Sequence, residues 1–149
     1  MIAIWVWLAA SAAFGADCAK IALEPVEVAG IEALALRGVD AEVSVLGDEG
    51  STVRITGTVC AGEARIALHQ DGATGIVTVS GRKAEGVTLE IRVPRATWTV
   101  VLEHEGALSV TGVASLRAAG VQGSLAATDI AGPVIVDGVV VPAGSVVAR

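Results

Sequence analysis

The apolar residues of this chain fall into short alternating runs rather than into helical spacing. Thr52 to Val59 sets Val53, Ile55 and Val59 against Thr52, Arg54, Thr56 and Thr58, and Val87 to Val93 alternates Val87, Leu89, Ile91 and Val93 before stopping at Pro94. A period of two puts one set of side chains on a buried face and the other in water, which predicts half-buried strands. The stretches from Ile21 to Val28, Ile31 to Arg37 and Ala41 to Leu46 are apolar and β-branched in the same way. Gly47-Asp48-Glu49-Gly50 and Asp71-Gly72 are turn sequences, the second between strands expected from Ala64 to His69 and from Gly75 to Ser80. Glu63 to Gln70 has room for a helical turn or two, but the alternation of Ala64, Ile66 and Leu68 favours strand.

The last third of the chain is organised differently. It contains Leu108-x-Val110-x-Gly112-Val113, Leu116-x-Ala118-x-Gly120-Val121, Leu125-x-Ala127-x-Asp129-Ile130 and Val134-x-Val136-x-Gly138-Val139. This is an internal repeat with a step of eight or nine residues. Two apolar residues at i and i+2 point inward from a short strand. Gly112, Gly120, Asp129 and Gly138 then take the corner, where a positive φ or a side-chain turn is needed, and the next Val or Ile opens the following side. Stacked units of this kind bury a continuous core. The pattern predicts an all-β, single-domain, short β-solenoid of β-helix type; a β-sandwich with similar turn spacing is the alternative.

Composition narrows the function classes. The chain has 149 residues, 53% of them hydrophobic, with 18 glycines and a formal net charge of −6. An acidic protein repels phosphate backbones, so nucleic acid is not an expected partner. The charges crowd into the first two thirds; from Gly106 onward there are only Arg117, Asp129, Asp137 and Arg149. Residues 1–15, MIAIWVWLAASAAFG, form an apolar leader ending in small residues, with Ala13 and Gly15 placed for a cut before Ala16. That is a secretory signal pattern, too short for a membrane-spanning helix, although no Lys or Arg precedes its apolar core. It leaves residues 16–149 as the mature domain, with no stable membrane span, in the periplasm or at the cell surface. Asp17 before Cys18 argues against lipidation. Trp98 is then the one aromatic side chain left apart from histidine, too few for a sugar-binding or single-strand-binding platform.

In an oxidising compartment Cys18 and Cys60 are expected to pair as one disulfide, worth about 4 kcal/mol of loop-closure entropy. Two buried free thiols are the alternative, and a metal site lacks the ligand spacing.

Ile91-Arg92-Val93-Pro94, followed by Gly106-Ala107-Leu108-Ser109-Val110-Thr111-Gly112-Val113 and the three later repeats, resembles the bacterial exported "putative adhesin" domains of unknown function. Gly38-Val39-Asp40-Ala41-Glu42-Val43 and Val53-Arg54-Ile55-Thr56-Gly57 look like earlier units of the same type. In a subset of that family a Cys follows the signal and a second follows a Val-x-Val-x-Gly strand, the placement of Cys18 and Cys60. The resemblance implies a solenoid fold and export. It supplies no catalytic residue.

The candidate chemistry is sparse. There is no phosphate-binding loop and no nucleophile elbow. His104 lies between Glu103 and Glu105, where alternation would put it on the Trp98 face; a strand-end histidine near a turn explains it better than an acid–base pair. His69 fits a solvated turn. Asp129 and Asp137 would line one edge, as a calcium or acid–base pair or, more simply, as corner residues. Asp48-Glu49 fits a solvated hairpin. Arg82-Lys83 is expected in a loop, and with Arg92 and Arg95 gives too few cations for an anion site. No catalytic residue, cofactor or metal is therefore expected. The function that follows is a non-enzymatic envelope or cell-surface interaction domain, whose partner is an envelope protein or surface ligand. Its nearly uncharged C-terminal end invites homo-oligomers. The alternative is a periplasmic polysaccharide-acting solenoid enzyme or an envelope accessory protein.

Overall fold

The structure is a computed structural model, described here for residues 18–141 and 146–148. The leader, 1–15, and its cut site lie outside the described residues. In chain order the strands are β1 (Ile21–Ala22), β2 (Val26–Ala29), β3 (Ala33–Arg37), β4 (Glu42–Asp48), β5 (Thr52–Val59), β6 (Ala61–Asp71), β7 (Thr74–Glu85), β8 (Thr88–Pro94), β9 (Trp98–Leu102), β10 (Leu108–Thr111), β11 (Ser115–Ala119), β12 (Ser124–Thr128), β13 (Val134–Val136), β14 (Val139–Val141) and β15 (Val146–Ala148). No helix occurs among the described residues. The strands form two mixed sheets. One is seven-stranded, in the order β14-β13-β11-β9-β3-β7-β6; the other is eight-stranded, in the order β15-β12-β10-β4-β8-β5-β1, with β2 also paired to β5.

The repeat acquires its meaning in these orders. Successive units fall on alternate sheets: Leu108 and Leu125 pair in the eight-stranded sheet, Leu116 and Val134 in the seven-stranded one. Successive units are thus eight or nine residues apart, and a strand meets its parallel neighbour about seventeen residues on, as Thr111 meets Thr128. The inward pairs of both sheets meet in one core. Leu34, Leu36, Leu116 and Ala118 come from one side and Val43, Val45, Ile91 and Leu125 from the other, all almost fully buried. Each fully buried Leu, Ile or Val contributes about 1.5–3 kcal/mol.

The chain does not stack in sequence order. β3 and β4 lie between β7 and β8 on one side and β9 and β10 on the other, with parallel registers Leu34↔Gly75 and Leu34↔Thr99 in one sheet and Val45↔Ile91 and Val45↔Val110 in the other. The intervening β5 is not an earlier unit of the repeat. It runs antiparallel to β8 and β2, and Val53-Arg54-Ile55-Thr56-Gly57 belongs to a hairpin system rather than to the parallel series.

Four further expectations are corrected. The strand expected from Ile21 to Val28 divides into β1 and β2, because Pro25 has no amide to donate and Leu23 turns its own to Gly57. Arg82-Lys83 lies within β7 rather than in a loop; Lys83 holds a φ of 54° beside the register shift between Ala61 and Glu63. The fourth repeat ends the series instead of opening another side. Asp137 and Gly138 hold φ of 48° and 81°, and Val136 pairs Val139 antiparallel across them. Two consecutive positive φ values make a tight hairpin turn whose usual sequence is Asp-Gly. Finally, His104 does not share the Trp98 face. Glu103 takes a φ of 57°, which breaks the alternation and turns His104 into the core, where it is 0% exposed.

The remaining corners have a common conformation. Gly112, Gly120 and Asp129 hold φ of 74°, 68° and 53°. Gly47 is held for a different reason: a Cβ there would run into the carbonyl of Gly112 where β4 and β10 end side by side.

Glu103 is the costly residue among these corners, because a left-handed conformation strains any side chain with a Cβ. Replacing it by glycine is expected to raise unfolding stability by about 0.5–1 kcal/mol, after subtracting the extra chain entropy of glycine. A urea denaturation series on the two proteins measures this directly.

Candidate interaction surface

The two sheets present different faces to water. On the eight-stranded sheet most outward residues are hydroxylic or charged, with Ile21 as an exposed exception: the Thr111 and Thr128 hydroxyls lie 3.0 Å apart, and Arg92 donates to Glu90 at 3.1 Å. On the seven-stranded sheet Thr99 and Val101 of β9 turn inward and Trp98 and Val100 turn outward, because the strand period is two. Trp98 is 64% exposed. Parallel register carries the pattern sideways. Trp98 stands beside Ala33 and Ser115, and Val100, Arg117 and Ile135 form a row that continues to Val140, 70% exposed, on β14. Along β3, β9, β11, β13 and β14 the outward charges are Arg37 and Arg117. Exposed apolar faces of this extent mark places where another molecule docks.

Corner residues lie at the ends of the strands. At the ends of β8, β4 and β12, Arg95 Nε donates to Glu49 at 2.7 Å and its Nη1 lies 3.8 Å from Asp129. Glu49 is thereby part of an ion pair across turns, while Asp48 Oδ1 accepts from Gly50 within its own turn. All these groups are exposed, so each pair is worth little alone. At the opposite ends of the strands, Asp137 Oδ1 accepts from the Gly120 amide at 3.1 Å. Asp129 and Asp137 therefore do not line one edge: the first ends a strand of one sheet, the second a strand of the other. No group of three or more His, Cys, Asp or Glu side chains gathers to hold a metal among the described residues. His69 is exposed on β6.

Cys18 and Cys60 form a disulfide spanning 42 residues, which ties the start of the domain to the end of β5. Among the described residues no helix is long and apolar enough to cross a membrane.

One solved structure is similar in fold. A crystal structure of a "putative cell adhesion protein" from Clostridium sporogenes matches 78% of this chain and 66% of its own, with a TM-score of 0.53 at 12% identity. "Putative adhesin" structures from Parabacteroides distasonis and Parabacteroides merdae match at TM-scores of 0.41 and 0.37, with 12% and 11% identity over 80% and 74% of this chain. The chain spans 66%, 57% and 62% of the lengths of these three proteins. No known family profile matches the chain, and no curated protein is similar to it. The likeness to the Clostridium sporogenes protein is one of fold.

His104 is the buried titratable group. Its carbonyl accepts from Gln122, and the neighbouring Glu105 amide donates to Val39, so its backbone is held between two turns of chain. Both ring nitrogens are buried without a hydrogen bond of good geometry, as are the hydroxyls of Thr97 and Thr99. Burial holds its pKa below the ordinary histidine value, partly offset by the nearby backbone of Ala107 and Ala41 and by the Asp40 and Glu105 carboxylates. The unfolded chain therefore binds a proton that the folded chain refuses. The stability of the neutral form is complete above about pH 6.5, the ordinary value, and is lost as pH falls through the depressed one. His104→Leu is expected to reduce the loss of stability between pH 7.5 and pH 5.5, read from urea unfolding at the two values.

Proposed function

We propose that this protein is a non-enzymatic, exported domain of the bacterial envelope or cell surface, working as an adhesin-like interaction module. In this reading its two sheets are the faces of a short solenoid, wound at about seventeen residues per turn. The observation that carries the proposal is the outward face of β3, β9, β11, β13 and β14 in the seven-stranded sheet, mostly apolar, centred on an exposed Trp98 and carrying only Arg37 and Arg117 as charges. The disulfide supports passage into an oxidising compartment, and the apolar leader supports the route. The fold likeness to an adhesion-type protein is consistent with the same role. An enzymatic reading has less support, because the two aspartates that suggested it serve separate corners.

The C-terminal end of the stack is a second contact candidate. Val139 and Val140 are exposed on β14, an edge strand without a charged residue, and such edges pair readily with another strand. Homo-oligomers through this end are expected to show as a concentration-dependent sedimentation coefficient; a monomer at every concentration would remove this contact.

Export is checked by fractionating the producing cells and treating intact ones with protease. The expected result is a chain shortened by its leader, without free thiols, in the envelope fraction. Cleavage on intact cells places it outside, and protection until the envelope is opened places it in the periplasm. An unprocessed cytosolic chain would overturn the proposal.

A further inference from the structure

The outward face of the seven-stranded sheet is not uniform. Six of its residues form a small grid two positions deep and three strands wide: Trp98, Ser115 and Pro133 in one row, and Val100, Arg117 and Ile135 in the next. Ser115 is small and stands between the indole of Trp98 and the ring of Pro133, so the first row sinks in its middle. The result is a trough of about 410 Å³, within the usual size range of small-molecule sites.

Arg117 closes one side of this trough. Its register neighbours are Val100 and Ile135, both apolar. It makes no salt bridge among the described residues. Its guanidinium thus lies between apolar neighbours on a protein of net charge −6, where carboxylates outnumber cations.

We infer that this trough binds a small amphiphilic carboxylate, an acid of acyl or aryl type. Its apolar body lies between Trp98 and Pro133, and its carboxylate meets Arg117. Charge complementarity selects an anion, and the planar fork of one guanidinium matches a carboxylate in two parallel hydrogen bonds. The lining selects an apolar body: apart from Arg117 it offers the Ser115 hydroxyl and the Trp98 indole N–H, with the Thr99 hydroxyl buried and no carboxylate or amide side chain, too little to satisfy a polyol. A second copy of the chain is the poorer occupant, since a two-fold contact over this face brings the arginines of both copies into one desolvated interface. The inference rests on the reading of this face as an interaction surface and gives that surface a ligand class.

The test uses the full chain, labelled with nitrogen-15, and follows the Trp98 indole and Arg117 side-chain N–H signals. Decanoate below its micelle concentration is the probe, with decyltrimethylammonium, acetate and glucuronate as comparisons. Decanoate is expected to shift both signals saturably while the cationic amphiphile does not. Arg117→Gln is expected to weaken decanoate binding by about tenfold, the loss of one charge-assisted contact. Trp98→Ala should weaken it as well. Both side chains are exposed, so the variants keep the fold, and an unchanged thermal melt verifies that. Equal response to the cationic amphiphile, response to glucuronate alone, or binding untouched by Arg117→Gln would each overturn the assignment. So would signals that move with protein concentration instead of with decanoate, which would make a second copy the occupant. Leader processing and surface exposure are read separately, so failure here leaves the export proposal standing.

Discussion

Parallel register at a separation of about seventeen residues is the constraint on which the rest of this molecule depends. Leu108 must lie beside Leu125, Thr99 beside Leu116, and Leu116 beside Val134, or the inward pairs of one strand face the outward positions of the next. A slip of one residue would exchange the buried and exposed sets along a whole strand. The connections between sheets therefore have little freedom in length. Each must turn the chain within a few residues, which favours one left-handed residue near the corner. Most corners meet this with glycine. Asp129 and Asp137 meet it with a residue that tolerates the conformation, and each puts its carboxylate to use, near Arg95 in one case and on the Gly120 amide in the other. Glu103 meets it at a cost, and what it provides in return is the inward turn of His104.

The same register sets where the core is weakest. Thr99 occupies the position between Leu34 and Leu116 in adjacent strands, and it is the hydroxylic member of that row. Thr97 and His104 belong to the same turn of chain. Four buried polar atoms without hydrogen bonds of good geometry are thus gathered in the stretch from Thr97 to His104, near the middle of the sheets rather than at a fraying end. Unsatisfied buried groups cost stability, about 1–3 kcal/mol each. The flanking strands offset this with Leu, Ile and Val on both sides, and the acid sensitivity of His104 follows from the same placement.

Much of the fold is legible in the chain because a period of two and a corner residue are local signals. The alternation at Thr52–Val59 and Thr88–Pro94 and the four units from Leu108 onward need no partner to be recognised. What escapes is what depends on partners distant in sequence. Nothing near Val53 reveals that β5 runs antiparallel to β8 while β4 runs parallel to it. The termination at Asp137-Gly138 was local and visible: the Asp-Gly pair is a strong short hairpin signal, and the regularity of three preceding units obscured it. Trp98 was visible as the one aromatic of the mature domain. Its surroundings were not, since Ser115, Arg117, Pro133 and Ile135 join it only through the pairings of β9, β11 and β13.

The contrast between the two outer faces has a physical consequence for how such a domain behaves among other molecules. The acidic charge lies mainly on the first two thirds of the chain, and the ion pairs that use it, such as Arg92 with Glu90, sit on the polar sheet and its corners. Like-charge repulsion keeps those surfaces of separate copies apart. The apolar part of the other sheet, β3, β9, β11, β13 and β14, has no such protection except Arg37 and Arg117, which resist a neighbour of the same kind yet attract an anion. A cation placed amid apolar side chains is poorly used as a general solubilising device, because its desolvation on contact must be repaid by a partner charge. It is well used as a filter, admitting an apolar surface only when a carboxylate comes with it. Discrimination of this sort needs no cavity and no catalytic group, only a rigid sheet that holds Trp98 and Arg117 at a fixed spacing, and that rigidity is what the parallel register supplies.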